Sequence, residues 1–190
     1  MQDFLFYLKL GWEHIISTDA LDHQLFILAL IAVYSYKDWK KILILVTAFT
    51  VGHSITLALS IFDILRLPSK LVEILIPVTI LITAVANLFN ERIKVKDLSV
   101  NYLLALFFGL IHGLGFANTA RMMISSEQDI AVPLLGFNIG LEIGQILAVI
   151  LILILFFIFR KIFRLNPKHW IFGFSIIAIL FSLKMIIERV

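Results

Sequence analysis

Five ionisable side chains lie close together at the start of a long apolar stretch, in GWEHIISTDALDHQLFILALIAVY at residues 11–34. They are Glu13, His14, Asp19, Asp22 and His23, of which we expect Glu13 to lie at the surface. Imidazole and carboxylate donors without sulfur suit Ni²⁺, Co²⁺, Zn²⁺ or Fe²⁺. Asp19, Asp22 and His23 have i, i+3, i+4 spacing, so they share one face if a helix begins by residue 19. The pattern indicates a metal site or a proton relay.

Three more ionisable residues lie inside apolar stretches, where a charged group costs at least about 2.5–3.5 kcal/mol and normally faces the protein interior. His53 lies in TAFTVGHSITLALS, His112 in GLIHGLGFAN and Glu142 in GFNIGLEIGQ. Counting at about 1.5 Å per helical residue places all three at similar depth. We therefore expect them to share a site near the opening cluster.

Polar residues and glycines accompany these groups at helical spacing. Thr56 follows His53 on its own face, and Asn138 and Gln145 form one stripe with Glu142. Glycines four residues apart let membrane helices approach closely. They are Gly109 and Gly113 beside His112, and Gly136, Gly140 and Gly144 around Glu142. We expect tight helix packing around a polar centre.

The composition predicts an integral membrane protein. The chain has 190 residues, of which 61% are hydrophobic and 15% are charged, and its mean hydropathy is +1.03. A soluble domain usually has about a quarter of its residues charged. The absence of cysteine excludes disulfides and thiolate metal ligands. The small net charge of +3 gives no reason to expect nucleic acid as a partner.

The elements that must position these residues are membrane-spanning helices, each of about 20 apolar residues. The predicted fold is all-α, one polytopic bundle over residues 1–190. Its six spans are residues 20–36, 42–62, 71–90, 98–118, 132–159 and 170–187. Residues 1–12 are too short to span alone, so we expect them to form an amphipathic helix in the membrane interface.

The positive charges predict an orientation. Ten of the 16 Lys and Arg residues lie in the loops after spans one, three and five. The positive-inside rule places these loops in the cytoplasm and both termini outside. The ten residues are Lys37, Lys40, Lys41, Arg92, Lys94, Lys96, Arg160, Lys161, Arg164 and Lys168. The opening cluster then lies at the external end of span one.

The four quoted segments, in this order, resemble the HupE/UreJ family of bacterial membrane proteins, in particular a compact branch found in Bacteroidetes-type genomes. The resemblance covers spans one, two, four and five. It implies a nickel or cobalt permease of six to seven helices in the bacterial inner membrane, often linked to hydrogenase or urease maturation. It also implies functional residues, namely His14, Asp22, His23, His53, His112 and Glu142.

Three readings remain open, and in the simplest of them the protein is a membrane scaffold whose histidines and Glu142 only stabilise helix packing. In a divalent-metal permease, Asp19, Asp22 and His23, with or without His14, would capture the ion outside, and His53, His112 and Glu142 would form a deeper transit site. Alternatively, three histidines and a carboxylate could activate water in an intramembrane zinc-type hydrolase that acts on a lipid-like substrate. The expected partners are membrane lipid and a metal ion, which could be nickel, cobalt or zinc. The sequence leaves a homo-oligomer open.

Overall fold

The computed structural model describes residues 2–93, 98–123, 130–162, 164 and 166–190. These residues form α-helices and two 3₁₀ helices, and none of them lies in a β-strand, which confirms the all-α class. The α-helices are α1 (Gln2–Ile16), α2 (Leu21–Ile31), α3 (Trp39–Ile61), α4 (Ser69–Ile93), α5 (Leu98–Met123), α6 (Ala131–Ile162) and α7 (Pro167–Arg189). The 3₁₀ helices are Thr18–Ala20 and Tyr36–Asp38.

Within the described residues, four helices are long and apolar enough to cross a membrane. They are Tyr36–Ile61, Ser69–Phe89, Ala131–Ile162 and Pro167–Arg189, and two shorter apolar helices are Leu21–Ile31 and Asn101–Ala117. The five predicted stretches after the first correspond to α3 to α7. Lys94 and Lys96, which enter the charge count, lie outside the described residues.

The first predicted stretch, 20–36, differs from the structure. The α2 helix has 11 residues, which gives it a length of about 16 Å and makes it too short to cross a hydrocarbon core of about 30 Å. The 15-residue helix α1 precedes it. Residues 1–12 are predicted to lie in the interface, but α1 instead packs lengthwise against α6, where a Cβ on Gly140 would overlap the carbonyl of Leu8.

Contacts at the two ends of the bundle show how α1 and α2 run. Tyr7 of α1 lies with Ile61, at the C-terminal end of α3. At the opposite end, Asn101 of α5 donates a hydrogen bond to the hydroxyl of Tyr34, just after α2, at 2.7 Å. The α1 and α2 helices therefore follow one another through the bundle in the same direction. Residues 2–31 form a discontinuous helix that is interrupted at residues 17–20.

Glycines bring helices together in two closely packed pairs. In the α1/α6 pair, Gly136 faces Phe4, Gly140 faces Leu8 and Gly144 faces Ile15. In the α3/α5 pair, Gly109 faces Phe49 and Gly113 faces His53, and a Cβ at either glycine would overlap backbone atoms. The helices of each pair run parallel, because the contacts advance in the same direction along both. The predicted site residues lie mainly where these two pairs meet.

Candidate metal site

Three histidines from three helices meet at the break in the discontinuous helix. His14 lies in the last turn of α1, His23 in the first turn of α2 and His53 in the middle of α3. One ring nitrogen from each lies within 4.8 Å of the other two. The ring centroids of His14 and His23 are 4.6 Å apart, and each lies about 6 Å from that of His53, at 6.0 Å and 6.1 Å. We call these three residues the histidine cluster.

His112 and Asp22 extend the histidine cluster. The His112 ring of α5 is 5.0 Å from that of His23 between centroids. The Asp22 carboxylate accepts a hydrogen bond from the backbone N–H of His23 at 2.8 Å and lies 3.0 Å from Nδ1 of the same ring. Because a carboxylate only accepts, Nδ1 of His23 carries the proton, and its Nε2 is left as an electron-pair donor. Asp22 thus orients His23 as outer carboxylates orient metal-bound imidazoles.

Six buried ring nitrogens in and beside the cluster have no hydrogen-bond partner among the described residues. They are Nε2 of His14, Nε2 of His23, and both ring nitrogens of His53 and His112. His53 and His112 are almost completely buried, at 0% and 1% exposure. Burying a polar group without a partner is costly, and native proteins rarely do so repeatedly in one place. The unpaired nitrogens indicate that an additional species completes the site.

A divalent transition metal fits this donor set. Such ions bind imidazole nitrogen at about 2.0–2.1 Å, so ligand nitrogens stand about 3–4 Å apart. The three nitrogens within 4.8 Å need only small side-chain rotations to reach that spacing. Three or four imidazoles with a nearby carboxylate form a nitrogen-rich set, which suits nickel, cobalt or zinc better than calcium or magnesium.

Two stacked phenylalanine pairs enclose the cluster. Phe116 of α5 and Phe137 of α6 stack with centroids 4.6 Å apart, and both rings contact His14, at 4.5 Å and 5.4 Å. Phe26 of α2 and Phe49 of α3 stack at 4.9 Å, and both contact His112, at 5.2 Å and 5.0 Å. Each pair joins two different helices. We call them the Phe116–Phe137 pair and the Phe26–Phe49 pair.

The two sides of the cluster differ in chemistry. Beyond the Phe116–Phe137 pair, toward the C-terminal end of α3, lies a pocket lined by Tyr7 and by apolar residues that include Leu57 and Ile61. On the other side, one turn before His53, Thr50 donates a hydrogen bond to Oε1 of Gln145 at 2.8 Å. An apolar pocket and a polar helix–helix contact therefore flank the cluster on opposite sides.

Glu142 lies apart from the histidine cluster. Its carboxylate accepts a hydrogen bond from Thr47 of α3 at 2.7 Å, in the same α3–α6 contact that holds Gln145 and Thr50. Thr47 precedes His53 by six residues, which is nearly two helical turns. The sequence predicts that Glu142 shares a site with the histidines because residue counting gives them a similar depth. In the structure, Glu142 does not lie beside the imidazoles.

The remaining predicted residues have local partners. Asn138 donates to the carbonyl of Leu134 at 2.9 Å, and its buried Oδ1 has no partner among the described residues. Thr56 donates within α3 to the carbonyls of Gly52 and His53, both at 3.3 Å. Asp19 lies in the 3₁₀ helix between α1 and α2, and its side chain lies outside the part that the structure describes.

The two phenylalanine pairs are not among the residues predicted from the sequence. Phenylalanine is common in this chain, with 17 residues, so no single one stands out. Their spacing from the histidines in the sequence nevertheless points to three of the four phenylalanines. Phe26, Phe49 and Phe116 each lie three or four residues from a histidine, on the same helical face.

A family model described as "HupE / UreJ protein" matches residues 1–189. No curated protein matches the chain, and no solved structure does so either. The family match covers every helix that contributes to the histidine cluster.

Proposed function

Because the chain belongs to the HupE/UreJ family, we propose that it is a membrane permease for a divalent transition metal, nickel or cobalt. The observation that carries this proposal is the convergence of His14, His23 and His53 within 4.8 Å in the bundle. In this proposal they bind the ion during passage, His112 serves as a fourth ligand and Asp22 orients His23.

The discontinuous helix supports transport. Transporters commonly bind substrate near mid-membrane at interrupted helices, whose free backbone and side chains line the site. We propose that α1 and α2 together make one membrane crossing, broken at the cluster, and that α3 to α7 make five more. The resulting six crossings agree in number with the sequence prediction.

The two phenylalanine pairs support an occluded state. A transporter must close the bound ion off from each side in turn. In our proposal the Phe116–Phe137 pair is the outer gate, and the apolar pocket beyond it lies on the external side. The Phe26–Phe49 pair is the inner gate. The outer gate lies between the α1/α6 and α3/α5 pairs, so relative movement of these two pairs would open it. The inner gate lies between α2 and α3, so movement of α2 relative to α3 would open it.

Beyond the inner gate, oxygen donors provide a route for release. Glu142, Thr47, Thr50 and Gln145 lie on the α3–α6 contact. We propose that Glu142 receives the ion after the histidines, because a site with fewer nitrogen ligands binds transition metals more weakly. Binding has to weaken along the path for the ion to leave. Asp19 stays a sequence prediction as an outer ligand.

The proposed orientation of this path follows from the positive-inside rule. With the loops that contain Lys37 to Lys41 and Arg160 to Lys168 in the cytoplasm, the apolar pocket faces outward and Glu142 lies nearer the cytoplasm. The proposed location is the bacterial inner membrane, and the proposed movement is inward.

A zinc-type hydrolase is the alternative reading of three histidines and a carboxylate. In that mechanism a carboxylate acts on a metal-bound water. Here the Asp22 carboxylate accepts from the backbone and lies against the ring of His23 through one oxygen, which is the arrangement of an orienting residue. The arrangement of Asp22 is therefore better explained by a permease than by a hydrolase.

Uptake by purified protein in liposomes tests the proposal. We expect the wild type to accumulate Ni²⁺ or Co²⁺ inside proteoliposomes, and His53→Ala to reduce uptake to the level of empty liposomes. His169→Ala is the matched control, because His169 is exposed at the start of α7, far along the chain from the cluster. Uptake of neither ion by the wild type would reject the permease.

A further inference from the structure

The interruption between α1 and α2 is bridged by one side-chain amide. The Nε2 group of Gln24, in the first turn of α2, lies 3.1 Å from the carbonyl oxygen of Ile15 and 2.9 Å from that of Ser17. It is also 3.4 Å from the carbonyl oxygen of Ile16. A single amide from one helix thus donates to the C-terminal carbonyls of the preceding helix.

The carbonyls of Ile15 and Ile16 need a partner because α1 ends at Ile16. The last four carbonyls of an α-helix have no intrahelical donor. Inside a membrane no bulk water replaces it, so protein groups must satisfy them. The backbone supplies part of this, since Ser17 N–H donates to the carbonyl of Glu13 at 3.0 Å. The two amide hydrogens of Gln24 serve the carbonyls of residues 15 to 17, with one hydrogen shared, and the Ser17 carbonyl also accepts from the backbone N–H of Ala20 at 3.1 Å.

The Gln24 amide also determines the relative position of two metal ligands. His14 lies in the last turn of α1, whose end is held by the amide, and His23 directly precedes Gln24 in α2. The peptide between them passes through a short 3₁₀ helix with no side-chain cap hydrogen bond. The amide therefore joins the two helix ends at the point where the ring centroids of His14 and His23 are 4.6 Å apart.

We propose that Gln24 is a positioning residue of the metal site. Its amide holds α1 and α2 in the register that brings His14 and His23 to one ion, while Gln24 itself does not bind the metal. This inference rests on the proposed metal-binding function. In this proposal, the Gln24 hydrogen bonds fix the two helix ends at the break. Their removal loosens the metal site while all of its ligands remain.

Equilibrium dialysis of purified full-length protein with Ni²⁺ tests the proposal. Gln24→Met has nearly the same volume and no amide donor, and we expect it to weaken Ni²⁺ binding about 10–100-fold, as loss of outer residues does in other metal sites. Gln24→Asn keeps the amide on a side chain one methylene shorter, and its Ni²⁺ affinity should lie between those of Gln24→Met and the wild type. If Gln24→Met does not fold, the Ni²⁺ affinity of Gln24→Asn is compared with that of the wild type instead.

The control is a second side-chain amide that forms a hydrogen bond between α2 and another helix. Asn87 of α4 donates to the carbonyl of Ala29 at 2.6 Å, near the other end of α2. Asn87→Leu therefore removes a comparable amide–carbonyl bond to α2 away from the histidines. We expect it to leave Ni²⁺ affinity within about twofold of the wild type, since any effect would act only through general loosening of α2.

A double-mutant cycle distinguishes positioning from general stabilisation. If Gln24 acts by bringing His14 to His23, then Gln24→Met should change Ni²⁺ affinity by less than about twofold in a His14→Ala background. An equal loss in both backgrounds would overturn the proposal, and so would wild-type affinity in Gln24→Met and Gln24→Asn. Failure of the wild-type protein to bind Ni²⁺ or Co²⁺ would instead overturn the proposed function itself.

Discussion

At the scale of single residues, the arrangement around His23 separates ligand from orienting group. The Asp22 oxygen that accepts the His23 backbone N–H also lies 3.0 Å from ring Nδ1, and Nε2 of the same ring is buried without a hydrogen-bond partner among the described residues. The same oxygen thereby sets the position of both the helix start and the imidazole ring. A carboxylate in this role increases the basicity of the metal-binding nitrogen.

Asp22→Asn should therefore weaken Ni²⁺ binding without removing a ligand. The amide keeps the size of the side chain and loses the negative charge, and we expect a loss of about 10–100-fold in affinity by equilibrium dialysis. Asp38→Asn is the matched control, because Asp38 accepts hydrogen bonds from Ser35 at the far end of the bundle. Wild-type affinity in Asp22→Asn would contradict the orienting role.

The residue types of the site could be read from the sequence, but their grouping only in part. His14, His23 and His53 stand out because imidazoles in apolar helices are costly. The structure unites them in one cluster, where the sequence predicted an outer and a deeper level. Glu142 is expected from residue counting to have a similar depth, yet it contacts Thr47, which lies about 9 Å from His53 along α3. Depth follows from counting residues, whereas the rotation and crossing angle of α6 depend on packing that one sequence does not show.

At the scale of helices, the phenylalanine pairs should control how fast the ion leaves. An aromatic pair contributes about 0.5–1.5 kcal/mol beyond the area it buries, which corresponds to about two- to tenfold in rate. Phe116→Ala removes half of the proposed outer gate. We expect it to increase the rate of Ni²⁺ release to a chelator by that factor.

Phe107→Ala is the control for the gate variant, because Phe107 lies on the same helix and is 54% exposed on the outside of the bundle. Its release rate should equal that of the wild type. Equal release rates for Phe116→Ala and Phe107→Ala would show that the Phe116–Phe137 pair does not limit exit.

Close packing between α1 and α6 should be sensitive to a single methyl group. A Cβ on Gly140 would overlap the carbonyl of Leu8, so we expect Gly140→Ala to destabilise the protein by about 1–3 kcal/mol. Gly173→Ala is the control, since, apart from its chain neighbours and the nearby backbone of its own helix, no described atom lies within 4 Å of its added Cβ. It should be neutral or stabilising, because alanine favours helix by about 1 kcal/mol over glycine. Thermal unfolding in one detergent measures both.

The helices after the first stretch could be predicted because each is a continuous apolar run. The proposed first crossing could not, because neither α1 nor α2 reaches membrane length alone and residues 17–20 interrupt them. Length criteria treat each piece separately and therefore assign α1 to the interface. Gly11 and Gly140, which bring α1 against α6, are single residues whose effect depends on the partner helix.

At the scale of the whole molecule, the proposed six crossings require the two ends of residues 2–36 to lie on opposite sides of the membrane. The chain contains no cysteine, so an introduced one is the only thiol that can be labelled. In intact cells, a membrane-impermeant maleimide should label Asp3→Cys and Arg66→Cys, and should label Lys40→Cys only after lysis. Equal labelling of Asp3→Cys and Lys40→Cys in intact cells would contradict a crossing made of α1 and α2.

The most direct test of the central claim is X-ray absorption at the metal edge of protein loaded with Ni²⁺ or Co²⁺. The histidine cluster predicts an ion with at least three imidazole ligands, seen as nitrogen scatterers with the outer-shell pattern of histidine rings. His53→Ala should lose one imidazole from that shell, and His169→Ala should leave it unchanged. An ion surrounded only by oxygen, or an imidazole count that His53→Ala does not alter, would contradict the account.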